Sequence, residues 1–212
     1  MDIEFIKTAF LTMFVAIDPP GLAPIFLAVT SSLSKEMRRS TAGRAVIIAF
    51  CVLAAAAIGG KPLLEALGVS IPAFRIAGGL LLFSIAVEMV FERRQERKAE
   101  TAEKAITIDH VKSIAAFPLA IPLMAGPGAI TATIVQASIA KENWMNFAAL
   151  VVILFVVIAM CYVVFLLAER IDRFLGVTGR VVLNRLLGVL LAAVAVQVVG
   201  DGLVAFIHNA KF

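Results

Sequence analysis

Asp18 is the one acidic side chain set deep inside an apolar run, in the segment AIDPPGLAPIF at Ala16–Phe26. A carboxylate at such a depth is costly, and where one is kept it binds, relays a proton or caps a broken helix. Pro19 and Pro20 each remove a backbone donor and clash with the preceding turn, and Gly21 loosens the chain, so the helix entering this segment is expected to stop there and restart. The segment LMAGPGAITAT at Leu123–Thr133 has the same helix-breaking chemistry. A shift of 107 residues lays Pro20 on Pro127 and Gly21 on Gly128.

Each break would expose the N-terminus of a half-helix, one beginning near Pro19 and one near Pro127. Bare N–H groups at the positive end of a helix dipole attract anions. Only the first break adds a carboxylate, so a zwitterion suits the pair. Its carboxylate would sit at Gly126, Pro127 and Gly128, and its ammonium, or a coupling H⁺ or Na⁺, near Asp18. The candidate substrate-binding set is Asp18, Pro19, Pro20, Gly21, Gly126, Pro127, Gly128, Thr131 and Gln197. The alternative is a pair of kinks without a ligand, with Asp18 capping its own half-helix. Thr131, Thr133 and Gln136 follow the second break, and such hydroxyls often bond back to their own backbone. Glu88, Asp201 and Arg75 lie near span ends, where snorkelling to the interface is expected.

The elements that must position these residues are membrane helices. Hydrophobic residues make up 61% of the 212 and charged ones 16%, and the mean hydropathy is +1.00. A soluble domain has about 45–50% apolar and about 25% charged residues, so most of this apolar surface must face lipid. A helix needs about 20 apolar residues to cross. Six stretches qualify: Phe5–Ser31, Ala42–Gly60, Ile71–Phe91, Ile114–Ile139, Met145–Ala168 and Leu186–Ile207. The opening MDIEF has no basic region before the apolar run, so the first span is expected to be retained rather than cleaved. Small residues at Ala54–Gly60 and Ala77–Gly79 suit close helix packing.

The charge-rich stretch ERRQERKAETAEK divides the spans into three and three. The chain is expected to form one membrane domain, with repeat one at 1–91, a linker at 92–112 and repeat two at 113–212. An odd number of spans per half turns the second repeat upside down, as in many secondary transporters. RIAGGLLL at Arg75–Leu82 echoes RLLGVLLA at Arg185–Ala192. All but five of the 19 Lys and Arg fall on the same side, the exceptions being Lys7, Lys61, Arg75, Lys141 and Lys211. That bias puts both termini outside the cytoplasm. It also explains the net charge of +4 without nucleic acid, since the basic residues flank spans and form no continuous stripe. The linker itself is expected to anchor the loop between the halves.

DPPGLAPIF in span one, PLAIPLMAGPGAI at Pro118–Ile130 and the six-span layout resemble the MarC family. The resemblance covers essentially the whole chain. It implies a six-helix protein of the prokaryotic plasma membrane, the inner membrane in bacteria, and transport of small neutral amino acids. The family's motif residues map onto Asp18, Pro19, Pro20, Gly21, Pro24, Gly126, Pro127 and Gly128.

The leading expectation is an all-α membrane protein with helices one and four discontinuous, acting as an ion-coupled secondary transporter of small neutral amino acids. The alternatives are an uncoupled channel or facilitator, or a membrane protein without transport activity. No GxxxxGK[ST] is present, so direct ATP coupling is not expected. His110 and His208 form no ligand cluster, and Cys51 and Cys161 lie in apolar runs, so no metal, disulfide or cofactor is expected. No catalytic set completes itself, because Asp18 and Asp201 fall at different depths. Lipid and a small zwitterionic solute are the expected partners, and an oligomer is left open.

Overall fold

The structure, a computed structural model, describes residues 2–107, 115–140 and 143–209, with residues 104–107 described by backbone alone. His110, Lys112, Ile114, Lys141 and Lys211 lie outside the described residues, as does the end of the linker.

The described residues are helical and include no strand. The chain runs α1 (Ile3–Ile17), α2 (Pro19–Val29), α3 (Lys35–Ala66), α4 (Ile71–Val90), α5 (Arg93–Thr107), the wide-turned segment Ala115–Met124, α6 (Pro127–Ala140), α7 (Trp144–Leu166) and α8 (Ala168–Asn209). Polar residues set the starts. Asp2, Ser34, Ser70 and Asn143 each accept a backbone N–H just inside α1, α3, α4 and α7, which satisfies donors the helix cannot pair itself. Gly176, at φ 57°, interrupts α8 between its amphipathic start and its apolar length.

Among the described residues, five helices are long and apolar enough to cross a membrane, or six if the bent pair Ala115–Met124 and Pro127–Ala140 is one span. One of the five is α1 and α2 taken together, Ile3–Val29. Large apolar side chains such as Leu81, Val152, Phe155, Val189 and Val204 stay exposed. That is the surface expected where the solvent is hydrocarbon.

The interior is formed by α1, α2, α6 and the Ala115–Met124 segment, wrapped by α3, α4, α7 and α8. On α3 the buried face is a stripe of small residues, Ala42, Ala45, Ala49 and Ala57 with Leu53 and Gly60. Small side chains let neighbouring helices approach closely where no water drives them together. The most extensive helix contact is between α4 and α8.

Candidate functional site

The chain stops and restarts its helix at Asp18. That residue sits at φ 61°, in the left-handed region, which Asp tolerates better than most. Its N–H donates to the Phe14 carbonyl at 2.8 Å, closing α1, while its carboxylate accepts the Gly21 N–H at 3.1 Å, opening α2. One residue therefore caps both helices. Gly21 suits the close approach, since a Cβ there would displace the Asp18 carboxylate and the Gln95 amide from each other.

Asp18 is fully buried, and its remaining partners come from α5. Gln95 Nε2 donates to Asp18 Oδ2 at 3.0 Å, and Lys98 Nζ donates to the same oxygen at 3.0 Å. Arg94, 6% exposed, donates to the Val15 carbonyl at 3.2 Å and to the Ala16 carbonyl. These are among the last carbonyls of α1, which lack intrahelical partners, and a cation suits that negative helix end. Burial pulls the Lys98 ammonium down from 10.5 to about 8, against the upward pull of Asp18. Three residues of the charged linker thus serve the first break. The ammonium on Asp18 is the protein's own, in the position expected for a solute or coupling cation.

At the second break the backbone is extended at Phe117 and Ile121, and the chain bends by 57° before α6. Gly126 fits because a Cβ there would strike the Pro122 carbonyl oxygen. Pro127 opens α6, where its missing N–H costs nothing. Gly128 and Ala129 follow, with no side-chain cap among the described residues.

A cavity of about 310 Å³ lies between this break and α5. Gly126, Pro127, Gly128 and Thr131 line one wall, Arg94, Arg97 and Lys98 another, and Ser84, Ile85 and Glu88 of α4 a third. On the opposite side of α5 a cavity of about 540 Å³ is lined by Glu92, Glu96 and Glu103 with residues of α2 and α8. Four of the nine candidate residues, those of the second break with Thr131, therefore meet at one cavity. Asp18, Pro19, Pro20 and Gly21 stand behind Lys98 and do not line it. Gln197 is separate, on an exposed face of α8, where its amide donates to Asp201 at 2.8 Å. The reason is register: α8 buries Leu191, Ala195 and Val198, which turns Gln197 outward. Asp201 is exposed too, far in character from the buried Asp18.

Away from the cavity, α1 and α6 close on each other through buried polar groups. Thr133 donates to its own Ala129 carbonyl at 2.7 Å, and Gln136 Nε2 donates to Thr12 Oγ1 at 3.3 Å. Arg75 reaches Ser138 rather than simply snorkelling, with its Nε 3.2 Å from the hydroxyl.

The match to a family model described as MarC family integral membrane protein runs over residues 3–207. The chain belongs to the MarC family. The match to its relatives extends over nearly the full length of both chains. It is 42% identical to a UPF0056 membrane protein of Archaeoglobus fulgidus, over 95% of this chain and 93% of that one. It is 33% identical to the UPF0056 membrane protein YvbG of Bacillus subtilis, over 96% of each. It is 34% identical to YhcE of Escherichia coli, over 92% of this chain and 89% of that one. No solved structure matches the chain. This MarC-family chain is a multi-pass integral membrane protein.

Proposed function

We propose that this MarC-family protein is a secondary transporter of small neutral amino acids, coupled to H⁺ or Na⁺, with the solute carboxylate bound in the cavity at the second break. The observation that carries the reading is the meeting of the α6 start, at Gly126, Pro127 and Gly128, with Arg97 and Lys98 around about 310 Å³ of open space. That volume is at the small end of the range for small-molecule sites. Uncapped amides at a positive helix end and two cations provide anion-binding chemistry. Non-helical backbone at membrane depth belongs beside such a polar cavity.

The pairing of spans supports an inverted repeat. In this reading α1 with α2 is the counterpart of the bent Ala115–Ala140 pair, α3 of α7, and α4 of α8. α1 contacts α6, α3 contacts α7 and α4 contacts α8, as expected when two like halves interleave about a pseudo-two-fold axis. Both interrupted segments are then discontinuous membrane helices, and both termini lie outside the cytoplasm. The packed contact of Thr12 with Gln136 closes one side, and alternation would open it while closing the α5 side.

Uptake of labelled L-alanine into proteoliposomes, with and without an imposed ion gradient, tests this. Accumulation that needs the gradient is expected. Equal entry without a gradient would make the protein a facilitator, and no entry across a panel of small solutes would end the transporter reading. The electrostatics add a pH dependence. Lys98 must carry its proton to attract a carboxylate, and its ammonium is held at about 8. Alanine binding, read as thermal stabilisation of the purified protein, should therefore be stronger at pH 7 than at pH 9. Equal stabilisation at both would exclude Lys98 from the site.

A further inference from the structure

Among the described residues, Glu88 is the one acidic side chain on the wall of this cavity. It projects from the last turn of α4, with its side chain 23% exposed. Its Oε1 accepts from Arg97 at 2.7 Å. Its Oε2 is shut off from solvent and has no partner among the described residues. A carboxylate carries about four acceptor positions, and leaving one buried oxygen empty is costly, most of all for a charged group. An empty acceptor on an anion points to a missing donor. A metal ion fits poorly, since the described residues include no group of three acidic, Cys or His side chains that could hold one.

We propose that the Glu88 carboxylate turns into the cavity and receives the ammonium of the solute, so that the cavity selects zwitterionic α-amino acids over carboxylates of the same shape. This rests on the reading of the cavity as the solute site. The geometry suits it. Arg97 and Glu88 touch, so a cationic and an anionic group stand side by side, and an α-amino acid carries its two charges on one carbon. The solute carboxylate would face Arg97, Lys98 and the amide of Gly128, while its ammonium would turn to Glu88. Arg97 is exposed over most of its side chain, 62%, and is free to swing between Glu88 and the incoming carboxylate. The role assigned to Asp18 at the first break is thereby transferred: Lys98 already fills that carboxylate, and Glu88 keeps an acceptor that no described residue fills.

The test compares L-alanine with propionate, which lacks only the ammonium, by equilibrium binding to the purified protein. Wild type should bind alanine roughly tenfold tighter than propionate, the discrimination expected for one charged hydrogen bond. Glu88→Gln keeps the shape and an acceptor for Arg97, and should remove the preference for alanine over propionate. Glu88→Asp keeps the charge at shorter reach, and should retain a preference for alanine at lower affinity. Equal binding of the two solutes by wild type would mean that water or Arg97 suffices for Glu88. That would overturn this inference while leaving the carboxylate site intact. Binding of neither solute would overturn both. An undiminished preference in Glu88→Gln would also overturn it.

Discussion

Replacing Asp18 by alanine lowers the stability of the detergent-purified protein by roughly 3–5 kcal/mol, the usual cost of stranding one member of a buried ion pair. The carboxylate has three tasks that alanine cannot share. It neutralises Lys98, accepts from Gln95, and caps α2 through Gly21. The cost is concentrated in the orphaned ammonium, because Lys98 is only 8% exposed. Adding Lys98→Met removes that orphan. The same substitution should therefore be more favourable in the Asp18→Ala background than in wild type. A double-mutant cycle on apparent unfolding temperature reads this coupling. Additive effects would mean that Asp18 and Lys98 do not pair in the folded protein.

Replacing Gly126 by alanine should destabilise by about 1–3 kcal/mol, the range for forcing extra volume into a packed site, and should weaken alanine binding more than it weakens folding. The added Cβ would meet the Pro122 carbonyl oxygen, a backbone atom that can retreat only if the 57° bend opens. Opening the bend moves the start of α6, and with it Gly128 and Ala129, which line the cavity. A thermal-shift series with L-alanine separates the two effects. An unfolding temperature lowered slightly with binding intact would place the solute elsewhere.

The helices were legible because lipid imposes a simple rule on composition. The fifth apolar stretch, Met145–Ala168, corresponds to α7 at Trp144–Leu166. The third, Ile71–Phe91, differs from α4 by one residue. Pro and Gly act locally, so DPPG and AGPG also marked the helix stop at Asp18 and the 57° bend before α6. The role of α5 was not. Its dense charge resembles a solvated anchor, and nothing local in ERRQERKAETAEK says that Arg94, Gln95 and Lys98 turn inward. The signal lay in Asp18, because a carboxylate buried at that depth demands a counter-charge, and the linker is the richest source of cations. Gln197 failed in the opposite way. Depth in the sequence of a span says nothing about which face of the helix a residue occupies, and α8 turns that face outward.

One arrangement underlies the proposed binding: α5 folded against the first span at Asp18, leaving a charged cavity at the start of α6. A structure determined with saturating L-alanine tests it most directly. The expected result is a helix that stops at Asp18, Lys98 on its carboxylate, and alanine with its carboxylate between Arg97 and the Gly128 amide and its ammonium on Glu88. A first span running unbroken through Asp18, or alanine bound away from the start of α6, would contradict it.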